Sequence, residues 1–205
     1  RQALASEFMV APVKVEVAPQ ATPVDTVLQL RYDVPNIMTK INLLKLLLAD
    51  KEEYSRVMVF MESKKNADRI TDKLADYWKD ELSVIHSNKT QNTRLNALRA
   101  FREGRSRIMI ASDVAARGID IQDVSHVVNF DIPALPEEYV HRIGRTARAG
   151  KEGVAISLVS PKEEERIEMI EQLIGQKIEL QALPERLEIS DVLLDEEKIQ
   201  TANII

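Results

Sequence analysis

The sequence predicts an α/β domain in which a mostly parallel sheet is covered by helices on both faces. Three observations lead to this prediction. The chain has 205 residues and is 44% hydrophobic, which is enough to bury one core. Short apolar runs alternate with helical stretches along the chain. Such runs are typical of strands buried on both faces, and the intervening helices make the crossovers that parallel strands require.

The first part of the chain predicts a linker followed by one strand and one helix. Residues 1–25 contain a helix-like start, an alternating stretch at 13–17 and several prolines, so we assign them to a linker or a leftover element. The alternation at 26–33 predicts a strand. Pro35 then begins a turn into the amphipathic run at 38–48, which predicts a helix.

The same unit of strand and helix repeats through the rest of the chain. Further strands are predicted at residues 57–61, 82–86, 107–111, 124–130 and 153–159. Helical stretches are predicted at residues 67–78, around residues 96–101 within a stretch that Gly104 closes, in a short turn up to 116, and in the arginine-rich segment 139–151. A last helix begins with Pro161, whose fixed φ suits the first helical position, and it ends before Gly175.

Composition excludes several classes of site. The absence of cysteine rules out disulfides and thiolate ligands, and three scattered histidines make a zinc site improbable, so no metal site is predicted in this chain. The longest apolar run, at residues 43–49, is interrupted by Lys45 and is too short to span a bilayer. We therefore predict a cytoplasmic protein without a membrane segment. Because the chain begins with arginine rather than methionine, we expect a fragment of something longer.

Charge is unevenly distributed. The net charge of −5 argues against a protein that coats nucleic acid through bulk positive charge, so any such binding must be local. Residues 89–107 hold six bases and one acid, whereas residues 181–205 form an acidic extension. We interpret this extension as a flexible or partner-binding segment.

Polar loops follow the predicted strands at one edge of the sheet. In parallel sheets the loops after the carboxyl ends of the strands meet at the edge where ligands bind. Here these loops comprise residues 62–65, 86–94, 112–120 and the arginine-rich segment 139–151. Each contains a basic residue, so the sequence predicts an anion-binding rim.

The arginine-rich segment 139–151 carries three arginines, a lysine and a histidine but no acid. If it is helical throughout, Arg142, Arg145 and Arg148 lie along one side without an acidic partner on the same helix. Planar guanidinium groups suit phosphate oxygens, and arginines stabilise the charge that develops during phosphoryl transfer. The alternative is a solvated basic face, or pairing with acids distant in sequence. We favour a polyanion as the partner.

Several stretches resemble the motifs of DEAD-box RNA helicases. Residues 110–121 (IASDVAARGIDI) and, twenty residues later, residues 141–148 (HRIGRTAR) closely resemble motifs V and VI. Residues 57–65 look like motif IV, and residues 91–94 (QNTR) look like the Gln-x-x-Arg motif. Together these matches span residues 26 to about 180. The sequence departs from the usual pattern at Ser87 and Ala147, where glycine is common.

The resemblance implies the second of two RecA-like domains, a three-layer sandwich at residues 26–180. The phosphate-binding loop and the Asp-Glu-Ala-Asp motif of the family belong to the first domain and do not occur in this sequence. Residues 1–25 would then be a remnant of the first domain plus linker, and residues 181–205 an acidic C-terminal extension. ATP with Mg²⁺ would be bound mainly by the first domain, which is also the expected protein partner.

The resemblance also implies roles at the nucleotide. Arg145 and Arg148 would be the catalytic arginines that contact the γ-phosphate when the two domains close. Asp120 would bind the ribose, since a carboxylate accepts hydroxyl hydrogens. His141 and Arg142 would relay between the domains.

RNA contacts follow from the same motifs. Ser63, Gln91, Arg94 and Ser112 would contact the sugar–phosphate backbone, a mode that does not depend on base sequence. Asp113 is open to two interpretations, a functional residue of motif V or merely the N-cap of the short helix that follows.

The function implied is ATP-dependent local unwinding of RNA duplexes, driven by closure of a cleft between two domains. This chain alone should hydrolyse no ATP. One alternative is a RecA-like protein-interaction module whose basic rim is the interface. Another is a flavodoxin-like domain, which fits the alternation of strands and helices but explains none of the motif matches.

Overall fold

The computed structural model describes residues 23–147 and 152–202, with side chains from 25 to 147 and from 152 to 198. Its strands form one sheet in the order β3-β4-β2-β5-β6-β1-β7, and the paired strands are all parallel. The strands are β1 Val27–Asp33, β2 Val57–Met61, β3 Leu82–Ile85, β4 Ile108–Ser112, β5 His126–Asn129, β6 Gly153–Val159 and β7 Glu179–Leu180. β1 lies beside β6, with Val27 opposite Gly153.

Helices cover both faces of this sheet. They are α1 Pro23–Thr26, α2 Ile37–Leu48, α3 Lys64–Trp78, α4 Gln91–Arg102, α5 Asp113–Ala116, α6 Pro136–Ile143, α7 Glu164–Ile174 and α8 Asp195–Ala202. Alternate residues of β2 enter different cores: Val59 packs with α2 and α3, whereas Phe60 packs with α4 and α5. A third core holds α6 and α7 against β6. The predicted three-layer α/β sandwich of the RecA-like type is confirmed.

Side-chain caps begin three of the helices at the carboxyl edge of the sheet. Asn36, Ser63 and Thr90 each accept a hydrogen bond from the backbone N–H three residues later, at 2.9, 3.1 and 3.2 Å respectively. Such caps satisfy donors that the first turn leaves unpaired. Because Ser63 is the cap, α3 begins at Lys64, earlier than the predicted start at residue 67. α4, capped by Thr90, contains the predicted helical residues 96–101.

A buried ion pair joins α2 to the opposite side of the sheet. Lys40 and Glu163 are 1% and 3% exposed, and Lys40 Nζ lies 2.6 Å from Glu163 Oε2 and 2.7 Å from the carbonyl oxygen of Phe130. Burial alone would raise the pKa of Glu163, but the charge of Lys40 and the hydrogen bonds from Lys40 and Ser160 lower it overall. The pair thus holds α2, the residue after β5 and the turn after β6 together at the carboxyl edge of the sheet.

Residues 181–198 pack along α2 rather than extending from the domain. Leu183, Leu187 and Leu194 lie against the core under α2 and α3. Asn36 Nδ2 donates to the carbonyl of Ser190 at 2.6 Å, and further bonds tie Ser190 N to Thr39 Oγ1 and Asn42 Nδ2 to the carbonyl of Glu188, each at 3.0 Å. The sequence did not predict this packing. The predicted boundaries at residues 25 and 180 stay predictions, and residues 1–22 lie outside the described part.

Two negative findings concern the described residues. Within residues 23–147 and 152–202, no helix combines the length and the apolar content needed to cross a lipid bilayer. In the same ranges, no group of three or more His, Cys, Asp or Glu side chains is placed so that it could hold a metal ion.

His126 makes stability sensitive to acid. Its ring is 4% exposed, stacks on Tyr54 with centroids 4.2 Å apart, and lies 3.1 Å through Nδ1 from Ser125 Oγ. Burial lowers the pKa of His126 from 6.5 to about 4, although Glu53 lies 4.0 Å away. The unfolded chain therefore binds more protons than the folded chain between these pH values, so stability falls as pH falls from 6.5 to 4.

We expect His126→Phe to reduce this acid loss by about 2 kcal/mol between pH 7 and pH 4.5, as measured by urea unfolding at both pH values. The raised pKa of Asp131, caused by burial, acts in the opposite direction but is common to both proteins. His141→Gln is the matched control, because the side chain of His141 is 73% exposed. Equal acid losses in the wild type and in His126→Phe would contradict the prediction.

Candidate functional site

The segments that resemble motifs V and VI meet at one cleft. α5 and the loop after it form one wall, and α6 with the turn after it forms the other. The cleft has a volume of about 190 Å³. Its lining includes Asp113, Arg117, Gly118, His141, Arg142 and Arg145. Residues 29 positions apart, Asp113 and Arg142, are thus brought together by the fold.

Arg142 is a buried structural residue at the back of this cleft. It is 2% exposed, and its Nε and Nη2 donate to the two carboxylate oxygens of Asp113 at 2.7 and 2.6 Å. Its Nη1 donates to Asn129 Oδ1 at 3.1 Å and to the carbonyl of Asp131 at 2.7 Å. A bidentate pair of this kind is strong and directional. Arg142 therefore ties α6 to α5 and to the end of β5.

Two sequence expectations are corrected here. The arginine-rich segment is not helical throughout, because α6 ends at Ile143 with Gly144 as its C-cap. Arg142 points into the core and Arg145 lies in the turn beyond the helix, so these two do not share one helical side. For Arg142, pairing with a distant acid was the correct alternative.

The two residues assigned to relaying between domains differ sharply in exposure. The His141 side chain is 73% exposed, whereas that of Arg142 is 1% exposed. His141 can reach another domain directly. A contribution from Arg142 has to pass through the groups that it positions.

Asp113 is not an N-cap. The N-cap position of α5 belongs to Ser112, whose side chain makes no capping hydrogen bond. The carboxylate of Asp113 instead receives the two hydrogen bonds from Arg142. The capping interpretation of Asp113 is therefore wrong.

Arg145 lies in the cleft and contacts the backbone of the loop that carries Asp120. Arg145 Nη1 donates to the carbonyl of Ile119 at 2.6 Å and lies 3.5 Å from that of Ile121, the residues on either side of Asp120. Asp120 is exposed. Gly118 turns this loop with a φ of +73°, a conformation that favours glycine, and space around it is open. Arg148 and Lys151 lie outside the described residues.

The four residues assigned to RNA follow three adjacent strands. Ser63 follows β2, Ser112 ends β4, and Gln91 and Arg94 lie on α4 after β3. β4 pairs with both β2 and β3, so the three loops are neighbours at one edge. The fold thus brings these four residues together, next to the cleft that contains Arg145.

Each of these four side chains has a different setting. Gln91 is exposed, Ser63 is half-buried and caps α3, and Ser112 is 6% exposed. Arg94 Nη2 donates to the carbonyl of Ala115 at 3.4 Å. The Nε of Arg94 is buried and has no hydrogen-bond partner within the described part of the chain. Arg94 therefore links α4 to α5 while retaining unused donor capacity.

Comparison with known proteins places the chain in a family. The family described as the helicase conserved C-terminal domain matches residues 39–150, more than half of the chain. The chain belongs to this family. Its relatives are DEAD-box proteins, so we refer to it as a DEAD-box helicase C-terminal domain.

Curated relatives are helicases about three times as long as the matched region. ATP-dependent RNA helicase DBP8 of Lodderomyces elongisporus is 43% identical over 147 residues, which are 72% of this chain and 33% of that protein. DEAD-box ATP-dependent RNA helicase CshA of Bacillus subtilis is 38% identical over 178 residues, 86% of this chain and 35% of that protein. The chain therefore spans about a third of the length of the curated relatives that it matches.

Solved structures agree with this placement. E. coli DEAD-box protein SrmB, bound to regulator of ribonuclease activity A, superimposes with a TM-score of 0.73 at 34% identity over 82% of this chain and 98% of that chain. The C-terminal domain of the DEAD-box protein Dbp5 superimposes with a TM-score of 0.68 at 34% identity over 89% and 99%. S. cerevisiae Dbp5 bound to RNA and ADP BeF3 superimposes with a TM-score of 0.69 at 32% identity, over 89% of this chain and 47% of that chain.

The DEAD-box domain contains supporting residues that sequence reasoning missed. Glu138 pairs with Arg117 across the cleft, and Asp131 Oδ2 accepts from the backbone N–H of Glu62 at 2.9 Å. Burial raises the pKa of Asp131. These partners are far apart in sequence, so no local pattern could have identified them. Lys40 did leave a signal, because a charged residue on the apolar face of α2 calls for a buried partner.

Proposed function

We propose that the chain is the second RecA-like domain of a longer ATP-dependent RNA helicase, with ATP and RNA bound across the cleft to the first domain. The observation that carries this proposal is the adjacency of two sets of residues. Arg145 lies beside the Asp120 loop at one cleft. The side chains assigned to RNA lie on the neighbouring strand loops at the same edge of the sheet.

The residues at the cleft fit a nucleotide held mainly by another domain. Arg145, with Arg148, would contact the γ-phosphate, and Asp120 would accept hydrogen bonds from the ribose hydroxyls. When bound, ATP with Mg²⁺ supplies the phosphoryl group that is transferred to water. The described residues contain no cluster of acidic ligands suited to Mg²⁺. We assign the metal and the phosphate-binding loop to the first domain, because the motifs that form them in DEAD-box helicases do not occur in this sequence.

The RNA surface is suited to the sugar–phosphate backbone. Ser63 and Ser112 supply hydroxyls, Gln91 an amide and Arg94 a guanidinium group, and all four types bind phosphate or ribose without reading bases. A helicase that acts on many duplexes needs this property. The Dbp5 structure with RNA and ADP BeF3, whose similarity to this chain is given above, supports RNA as the ligand class.

Unwinding would follow from closure of the two domains. Closure brings Arg145 to the nucleotide and holds one RNA strand along the loops at the edge, which bends that strand and separates a short duplex locally. The exposed His141 would contact the first domain in this state. Residues 1–25 would be the remnant of the first domain and linker, and residues 26–180 the domain itself.

The test compares the longer protein with this chain. We expect ATP hydrolysis that single-stranded RNA stimulates in the longer protein, and no turnover by residues 1–205 alone. Activity of the isolated chain would contradict the assignment of the phosphate-binding loop to another domain. ATP hydrolysis in the longer protein that does not respond to RNA would contradict RNA as the activating ligand.

Arg94 gives a sharper prediction for the RNA surface. In the longer protein, Arg94→Ala should raise the RNA concentration for half-maximal stimulation about tenfold, because a hydrogen bond to a charged group contributes about 1.5 kcal/mol. The rate at saturating RNA should change much less. Arg105→Ala is the control, since Arg105 is exposed and pairs only with Glu103 among the described residues. If Arg94→Ala leaves the RNA concentration for half-maximal stimulation unchanged, Arg94 does not contact RNA.

A further inference from the structure

A cavity lies beside Ser63, and Glu196 of the C-terminal segment forms part of its lining. It has a volume of about 660 Å³ and adjoins the carboxyl ends of β2, β5 and β6. Its lining carries both charges, and two of its cations are already paired, Lys40 with Glu163 and Arg166 with Glu62. Ser63, Lys65, Lys162, Asp131 and Glu196 complete its polar lining together with Asn66 and Ser160. The cavity thus begins at a residue assigned to RNA and continues away from the cleft that contains Arg145, which has a separate lining.

The carboxylate of Glu196 is the negative partner of two cations on α3. It hydrogen-bonds to Arg69 Nη1 and lies 3.5 Å from Lys65 Nζ. Both cations project from the first two turns of α3, the helix that Ser63 caps. Two cations that converge on one carboxylate offer the same geometry to a phosphate oxygen, since both anions accept charge-assisted hydrogen bonds.

The segment that carries Glu196 is attached to the domain on both sides of this residue, so only the side chain of Glu196 has to move to free the two cations. Residues 183–194 are held by apolar packing on the core and by hydrogen bonds to α2. Glu197 adds bonds to the backbone N–H groups of Ile37 and Leu194, both at 2.9 Å. Glu196 itself is held to α3 by its ion pairs with Lys65 and Arg69, whose side chains are 74% and 26% exposed. The pair with Lys65 is exposed and contributes little free energy, whereas the pair with Arg69 is partly buried. An anion that contacts both cations can therefore compete with Glu196 there.

We propose that Lys65 and Arg69 form an additional binding site for the RNA phosphodiester backbone, which Glu196 occupies in the absence of RNA. The site extends the surface that begins at Ser63 by one backbone position or more. RNA that reaches this site exchanges its phosphate for the carboxylate of Glu196. The acidic C-terminal segment therefore sets the affinity of the domain for RNA, a proposal that rests on the RNA binding proposed above.

The experiment measures binding of fluorescein-labelled single-stranded oligouridylate to residues 1–205 by anisotropy at low and moderate salt. Glu196→Gln removes the competing charge, so we expect about fivefold tighter binding at low salt, with a smaller gain at higher salt. Asp191→Asn is the matched control. It removes the same charge from the same segment, and its side chain makes no hydrogen bond or ion pair with another described residue.

Lys65→Ala with Arg69→Ala tests the cations. Added to Glu196→Gln, these changes should return the affinity to that of the wild type or below. Equal gains in RNA affinity in Glu196→Gln and Asp191→Asn would show an effect of net charge alone and would contradict the proposed site. A gain that survives loss of both cations would overturn it as well.

Failure of the underlying function gives a different result. If neither the wild type nor any variant binds the oligonucleotide at low salt, RNA binding by this domain is wrong, and the additional site is wrong with it. If the wild type binds RNA but Glu196→Gln does not bind more tightly, only the additional site is wrong. Thermal melting of each variant checks that the fold is retained.

Discussion

Replacing Arg145 by alanine in the longer protein is expected to lower RNA-stimulated ATP hydrolysis about a thousandfold. An arginine that stabilises the charge developing on the transferred phosphoryl group contributes about 10³-fold or more. The proposed role is supported by the hydrogen bonds from Arg145 to the carbonyls on either side of Asp120, which hold the guanidinium beside the cleft. Single-turnover hydrolysis at saturating ATP and RNA measures the effect.

The same hydrogen bonds give Arg145 a local structural role, so the experiment needs a second readout. RNA affinity and the thermal midpoint should change little if the loss is chiefly in the chemical step. Arg105→Ala, an exposed change of the same kind, should retain full activity. Hydrolysis within about threefold of wild type in Arg145→Ala would contradict the role of Arg145 at the γ-phosphate, and would favour the alternative that this domain is an interaction module without a catalytic role.

Arg142→Ala is expected to destabilise the domain by about 3 to 5 kcal/mol, because removing one partner of a buried ion pair leaves the other uncompensated. The carboxylate of Asp113, the amide of Asn129 and the carbonyl of Asp131 all lose a donor. Urea unfolding of residues 1–205 at pH 7 measures this cost. A loss below about 1 kcal/mol would contradict it.

Two further variants test whether the loss of stability in Arg142→Ala comes from its ion pair with Asp113. Arg117→Ala breaks an exposed pair with Glu138 in the same cleft and should cost less than about 1 kcal/mol. The double variant Asp113→Ala/Arg142→Met should cost clearly less than the sum of Asp113→Ala and Arg142→Met measured singly, since neither charge is then left alone. Additive costs would mean that Arg142 stabilises the domain through Asn129 and the carbonyl of Asp131 rather than through Asp113.

Sequence patterns predicted the strands because burial on both faces leaves a local trace. β2 and β6 were predicted at their observed bounds, and both consist of nearly continuous apolar residues. The short strand β7 was not predicted, because its two residues are both exposed and carry no such pattern. The C-terminal helix α8 was also missed, since its contacts are with α2 and α3 far back in the chain.

Site residues were predicted where they belong to a short sequence motif. Contacts between residues far apart in sequence were missed. Asp120 and Arg145 came from short motifs, and the fold brings their segments together. The burial of Arg142 could not be read from its segment, which contains no acid. Its partner Asp113 belongs to a different loop, and their meeting depends on the adjacency of β2 to both β4 and β5.

The pairing of β1 with β6 has a consequence for biosynthesis. Val27 lies opposite Gly153, so β1 leaves the ribosome long before its neighbour in the sheet exists. At typical rates of about 5 to 20 residues per second, the nascent strand waits roughly 6 to 25 seconds for that partner. During this interval its backbone donors and acceptors are open to other chains. Chaperone dependence during translation should therefore be greatest before β6 emerges from the exit tunnel.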